Sequence, residues 1–256
     1  MSSLTHTLTD SSTMLRRVLR HTTRDPSTLI MAIVLPAVLL LLLNYGFGGA
    51  IRTGGGRYID YLVPGVILMG ASYSASATAV AVATDSSRGI IDRFRTMAIA
   101  RSSVLTGHVL GSVARTMIGI TLVVLIAVAI GFRPTTDPVH WLAVTGLVAL
   151  MLFAIAWIAA AMGLVTGTTT GAASLAAIFQ ILPFLSAAFV PTDTMPGWLQ
   201  AFTANQPMTP IVLALRGLLT DTPVGDHGWI AVVWCAGAAV AGYLWARAAY
   251  NRRTSR

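Results

Sequence analysis

Two residue types are missing from this 256-residue chain: it has no lysine and no glutamate, so all 17 basic residues are Arg and all nine acidic residues are Asp. A P-loop of the GxxxxGK[ST] type needs its Lys on the terminal phosphates, so the chain does not hydrolyse ATP by that route. The HExxH metalloprotease motif is excluded for want of Glu. The single cysteine, Cys235, permits neither an intrachain disulfide nor a cysteine-based metal site, and it reads as a small packing residue. Charge of either sign is scarce, with charged residues at 10% of the chain, apolar ones at 55% and a mean hydropathy of +0.74. These values lie outside the range of soluble globular proteins.

What the chain has instead is six apolar runs: Leu29–Tyr45 (a span reaching about residue 49), Tyr61–Thr84, Val104–Phe132, Trp141–Thr166, Ala172–Val190 and Trp229–Ala246. At about 1.5 Å of rise per residue, each is long enough to cross a hydrocarbon core of roughly 30 Å. The arginines fall mostly on alternate sides of these runs. With a cytoplasmic N-terminus, the inner segments hold Arg16, Arg17, Arg20 and Arg24, then Arg88, Arg93, Arg95 and Arg101, then Arg247, Arg252, Arg253 and Arg256. The outer segments hold only Arg52, Arg57, Arg133 and Arg216, and Arg115 stays within a run. Twelve inside against four outside is the positive-inside pattern, and it predicts six spans with both termini cytoplasmic. The net charge of +8 then follows from topology and contact with anionic lipid headgroups, without nucleic acid. The first run could pass for a signal-peptide core, but cleaving it would spoil the charge alternation, so we expect it to stay.

Residues Ser11 to Arg24 carry an apolar stripe and arginines at helical spacing, which predicts an amphipathic elbow helix on the inner membrane face. Asp25-Pro26 ends it and starts the first span, where Pro36 predicts a kink. The outer loop Gly54-Gly55-Gly56 lacks the strand and spacing of a nucleotide-binding loop. The second run is rich in Ala and Ser, and Gly107, Gly111, Gly163, Gly167 and Gly171 repeat a small-xxx-small spacing. Such faces let helices approach closely in lipid. Between the second and third runs, Ile90, Ile91, Phe94, Met97 and Ala98 form one face of a helix, with Arg88, Asp92 and Arg95 opposite. This segment reads equally as an interfacial anchor or as a docking helix for a cytoplasmic protein. Before the last run, Pro196-Gly197-Trp198 and Met208–Leu219 open two short helices, a pair able to dip into the outer leaflet and return.

Taken in order, these motifs resemble the permease subunits of type-2 ABC exporters, in particular the daunorubicin-resistance-like permeases. The resemblance runs through Arg24-Asp25-Pro26, Leu35-Pro36 and Tyr61-Leu62-Val63-Pro64-Gly65. It continues in Arg88-Gly89-Ile90-Ile91-Asp92-Arg93-Phe94-Arg95 through Arg101, similar to the family's G-T-x-E-R-x-R-x-x-P-x-x-R segment. It ends with Ser186, Phe189, Pro191, Pro196, Trp198, Leu199, Pro207, Arg216 and Gly217. The chain departs from the pattern at Ile90 for Thr, Asp92 for Glu, Ala98 for Pro and Ala187 for Gly. The resemblance implies an all-α membrane protein in one transmembrane domain spanning residues 1–256, with elbow, coupling helix and outer re-entrant pair. It makes Arg88 to Arg95 and Arg101 the contact with an ATP-binding subunit, present in two copies, which carries the ATP and Mg²⁺. It also implies a second permease subunit, identical or paralogous, in a bacterial cell (inner) membrane. Pro26, Pro36, Pro64, Gly65, Pro191, Trp198 and Arg216 become structural positions.

Arg115 and Tyr73 are the candidates for the substrate path. Arg115 lies up to about 16 Å into its run, where a charge must face a partner or a wet cavity unless it snorkels to the headgroups. Two other classes compete. Gly70-Ala71-Ser72-Tyr73 superficially resembles the serine motif of intramembrane proteases, but no catalytic His is placed at membrane depth to serve it. An autonomous secondary transporter usually shows internal repeats and buried ionisable groups for ion coupling, and the sequence has neither a clear repeat nor an Asp deep in a run.

Overall fold

The computed structural model describes residues 26–49, 56–87, 101–192 and 195–254. Among them the chain is helical, in the order α1 (Pro26–Phe47), α2 (Tyr58–Ser87), α3 (Arg101–Ala129), α4 (Pro138–Thr166) and α5 (Thr169–Ile181), which runs into a 3-10 turn (Leu182–Leu185). Then follow α6 (Gly197–Asn205), α7 (Met208–Thr220) and α8 (His227–Thr254). The expected elbow helix (11–24) and most of the coupling segment (88–100) lie outside the described residues. Four stretches are long and apolar enough to cross a membrane: Tyr58–Ser87, Leu105–Ala129, Pro138–Thr166 and His227–Arg252. Ile33–Phe47, Thr169–Leu185 and Met208–Thr220 are shorter apolar helices.

Local chemistry fixes the helix ends. Asp137 caps α4, its carboxylate accepting a 3.0 Å bond from the Val139 N–H, and Pro138 sits in the first turn where no N–H is required. Gly167 ends α4 at φ 64, a left-handed conformation that costs glycine little, and Thr168 then caps α5 through the Gly171 N–H. The two helices therefore turn back on each other with almost no loop.

Successive helices alternate in direction. At one end of the molecule Arg57 pairs with Asp60 at 2.9 Å and donates to the Gly131 carbonyl, the Thr135 N–H donates to Leu219 O, and His140 lies between Asp137 and Asp221. At the other end His108 meets Asp85 at 3.0 Å, and Leu105, Leu164, Ala246 and Tyr250 share a separate apolar cluster. The centre is α2, which packs on α1, α3, α4, α5 and α7. It does so through fully buried small residues, Ala71, Ser72, Ala75, Ala79 and Ala83. A Cβ on Gly163 of α4 would collide with the Ala79 carbonyl, so here the small-residue expectation is a real backbone approach. Gly242 of α8 also sits closely on α4, a Cβ there lying 2.9 Å from Ile158, beside the edge-to-face pair Trp157–Tyr243.

The fifth run differs from the expected continuous helix over 172–190. Regular helix ends at Ile181, passes into the 3-10 turn, and the chain is irregular from Ser186 onward. Pro183 is the physical reason, because it has no N–H for the helix ladder and its ring crowds the carbonyl one turn back. Ser186 closes the break, its hydroxyl donating to Pro183 O at 2.6 Å and accepting from the Ala188 N–H at 3.2 Å.

Candidate functional site

Two constructions stand out, a cavity between α1, α2 and α3 and a collar of side chains around the break after α5. The cavity has a volume of about 700 Å³. Leu35 and Pro36 of α1 form one wall, α2 contributes Val66, Ile67, Gly70, Tyr73, Ser74 and Ala77, and α3 contributes Arg115, Thr116, Gly119, Ile120 and Val123. It exists because two of these helices present little bulk there. Gly70 leaves only Ile120 within reach of a would-be Cβ, at 3.5 Å, and Gly119 only Ile33, at 3.9 Å. Next to it, α2 and α3 are locked together by Thr78 and Ser112, whose hydroxyls are 2.6 Å apart. Among the described residues of the lining, Arg115 is the charged one. Leu35 and Ala77 are exposed, so the cavity opens on the protein surface.

The collar solves a different problem. Irregular backbone at membrane depth leaves carbonyls that lipid cannot satisfy, so the protein must supply donors. Leu185 O accepts from Thr203 Oγ1 at 2.9 Å and from the Gln206 amide. Ala187 O accepts from Tyr61 OH at 2.9 Å and from Arg216 Nη2 at 2.8 Å, and Phe189 O accepts from Tyr58 OH at 3.4 Å. Arg216 also lies over the Tyr61 ring, its Cζ 3.5 Å from the centroid, and reaches the Tyr61 carbonyl. A Cβ on Gly65 would stand 2.5 Å from Ala188 O, so the broken segment is pressed directly against α2.

Arg115 and Tyr73 are thus brought into one cavity, and Pro36 joins them. Arg216 is a structural arginine of the collar, and Gly65 is pressed on the same broken segment at Ala188. Pro64 is buried in α2, whereas Trp198 is 75% exposed on α6. Pro26 and Arg101 begin α1 and α3, and Pro191 follows the broken segment. Arg88 to Arg95 lie outside the described residues. The donors Tyr58, Thr203 and Gln206 were not singled out from the sequence, and Tyr61 entered only as part of the motif that opens the second run. The one signal was Pro183, which breaks an apolar run, since Thr203 and Gln206 stand among other polar residues, Gln200, Asn205 and Thr209.

The model of the ABC-2 type transporter family matches residues 9–220. The chain belongs to the ABC-2 type transporter family. This permease is 31% identical over 202 residues to the daunorubicin resistance ABC transporter permease protein DrrB1 of Streptomyces coeruleorubidus, covering 77% of this chain and 70% of the relative. It is 28% identical over 227 residues to the probable doxorubicin resistance ABC transporter permease protein DrrC of Mycobacterium tuberculosis, covering 88% and 82%. ABC transporter G family member 20 of Dictyostelium discoideum matches at 28% over 195 residues, 73% of this chain but 25% of that longer one. Family and apolar helices together make the chain a multi-pass membrane protein and a type-2 ABC permease.

Proposed function

We propose that this permease forms the membrane half of an ATP-driven exporter that moves a hydrophobic drug, antibiotic or lipid-like substrate outward across a bacterial cell membrane. On this reading α1 to α4, α5 with its turn, and α8 are the six spans, both termini are cytoplasmic, and α6–α7 form the outer re-entrant pair. Two permease subunits, identical or paralogous, sit above two ATP-binding subunits that hold ATP and Mg²⁺. ATP then acts by favouring one conformation of the permease pair over the other. One observation carries the reading: an ABC-2 permease with no lysine for a P-loop of its own holds an apolar, surface-open cavity of about 700 Å³, the size of a drug-like ligand. The named relatives, daunorubicin and doxorubicin resistance permeases, support a drug-like cargo.

The test is reconstitution in proteoliposomes with and without the ATP-binding subunit that co-purifies from the native membrane. The expected result is no ATP turnover from the chain alone, and ATP-dependent substrate efflux when the partner is added. Turnover by the chain alone would overturn the reading. Efflux driven by an ion gradient without the partner would favour an autonomous secondary transporter instead.

A further inference from the structure

The N-terminal end of α7 is buried: Gln206 is 5% exposed, Thr209 is 6% exposed, and Met208 and Ile211 are buried beside them. A helix start leaves its first N–H groups without intrahelical partners. Pro207 and Pro210 bring no N–H, so the donors of this end are those of Met208 and Thr209. Among the described residues no side chain caps them, the N-cap residue being Pro207. Two side-chain atoms at the same place are buried and unmet as well, Gln206 Oε1 and Thr209 Oγ1. The orientation of the Gln206 amide is set by its neighbour. Leu185 O can only accept, so it takes the amino group and leaves Oε1 as the unmet acceptor. Thr209 stands in the first turn, where no carbonyl of α7 lies four residues back for its hydroxyl, whereas Thr220 further along bonds Arg216 O.

We propose that this end of α7 binds an ordered water molecule, which donates to Gln206 Oε1 and accepts from the Thr209 hydroxyl, with the first-turn N–H groups as further donors. The chemistry of these groups selects the occupant. Within four residues of chain they comprise two N–H donors, one hydroxyl that can do either, and one acceptor. An anion would suit the helix start but would face the lone pairs of Gln206 Oε1. A cation would suit that oxygen but would face the N–H groups and the positive end of the helix dipole. Water meets both needs at once, and buried waters typically make about three hydrogen bonds to groups otherwise unsatisfied. Without it each buried group keeps its full desolvation penalty. The site also has a structural consequence. The Gln206 amide that faces the water holds Leu185 O with its other end, so the water ties the start of α7 to the break after α5. Lipid offers no hydrogen bonds to an irregular segment, and an internal water supplies what the side chains of the collar leave unmet. The proposal goes beyond the exporter reading and holds whichever way the chain faces the membrane.

The test is water-edited solid-state NMR of the purified full chain in phosphatidylcholine liposomes, isotope-labelled at asparagine and glutamine. The glutamines are Gln180, Gln200 and Gln206, and Gln206 is the one that follows an asparagine, which assigns its signals. Rapid transfer of magnetisation from water to the Gln206 side-chain amide is expected, although that residue is buried. Thr209→Val removes the hydroxyl at nearly constant shape. It should weaken the transfer and lower the Tm, read by tryptophan fluorescence, by about 2–4 °C. The sign of the shift is decisive, because in a dry site the same substitution removes an unmet polar group and raises the Tm. The proposal is overturned if Gln206 of the parent receives no magnetisation from water, or if Thr209→Val leaves the transfer as strong. It is overturned equally if Thr209→Val leaves the Tm unchanged or raises it. Replacing chloride by gluconate should leave the parent's Tm where it is, and a fall confined to the parent would make the occupant an anion and sink the assignment to water.

Discussion

Arg216 illustrates how one residue can be structural although its chemistry invites a functional reading. Its Nη2 bonds Ala187 O at 2.8 Å, its plane lies on the Tyr61 ring, and both contacts hold a segment that has no helical bonds of its own. Lysine offers neither the planar stack nor the fork, so it is not a conservative replacement here. Arg216→Ala removes a charged hydrogen bond and a cation–π contact and should cost about 2–3 kcal/mol. Tyr61→Phe keeps the ring and loses one neutral bond, so it should cost only about 1 kcal/mol. Thermal unfolding of the detergent-solubilised chain tests the ranking, and a Tyr61→Phe loss as large as that of Arg216→Ala would refute the stacking argument. Gly65→Ala is the steric counterpart: its Cβ would meet the Ala188 carbonyl at 2.5 Å, and because that neighbour is backbone, the broken segment itself must shift.

Elements divide by how much of their cause is local. The helices α2, α3, α4 and α8 were legible because long apolar runs with capping residues specify them, and their observed ends fall within a few residues of the runs apart from α8's longer C-terminal extension, Tyr58 against Tyr61 or Pro138 against Trp141. The pair α6 and α7 was legible from Pro196-Gly197 and Pro207 for the same reason. The break in the fifth run was not, because it depends on donors from Tyr58, Tyr61, Thr203, Gln206 and Arg216, which lie far away in sequence. The cavity was only half legible. Arg115 announced itself as a charge in an apolar run, but its sharing of a cavity with Tyr73 and Pro36 depends on the register of three helices. Glycine spacing overstated packing, since Gly163 makes a tight interhelical approach whereas Gly167 ends α4. The segment from Arg88 to Arg95 carries the energy coupling in the proposed assembly, which sequence and family alone support. There Asp92→Arg sets a like charge beside Arg88, Arg93 and Arg95, and at a partly buried docking surface a lost pair costs a few kcal/mol. Asp92→Arg and Phe94→Asp should each leave the chain inserted but unable to retain its ATP-binding subunit, with Arg252→Ala as the control. Pull-down together with efflux reads the result, and full retention by both variants would reduce the segment to an interfacial anchor.

The whole molecule presents its apolar surface outward on several sides: Val38 and Leu42 on α1, Leu122 and Leu125 on α3, and Trp229, Val233, Val240 and Leu244 on α8 are all exposed. In water such faces would drive aggregation, whereas in a bilayer they meet lipid or a second permease subunit at little cost. Apart from Arg115 in the cavity and Arg216 in the collar, the ion pairs described above lie at the two ends. Arg57, Asp60, Asp137, His140 and Asp221 gather at one, and Asp85 and His108 at the other. This axial division agrees with the arginine count, because Arg57 and Arg133 belong to the sparse outer set while Arg101 begins α3 at the opposite end. Labelling single cysteines in intact cells turns that agreement into a measurement. Cys235 is buried at 3% exposure, so Cys235→Ala gives a silent background at the cost of a small cavity. In that background, Thr53→Cys, Thr136→Cys and Thr194→Cys should react with an impermeant maleimide. Ser3→Cys, Ser87→Cys and Ser255→Cys should react only after the membrane is opened. Thr136 and Ser87 are the decisive pair, because the helix directions place them at opposite ends of the protein. External reaction at Ser87 would invert the molecule and overturn the proposed topology, with its cytoplasmic contact for an ATP-binding subunit.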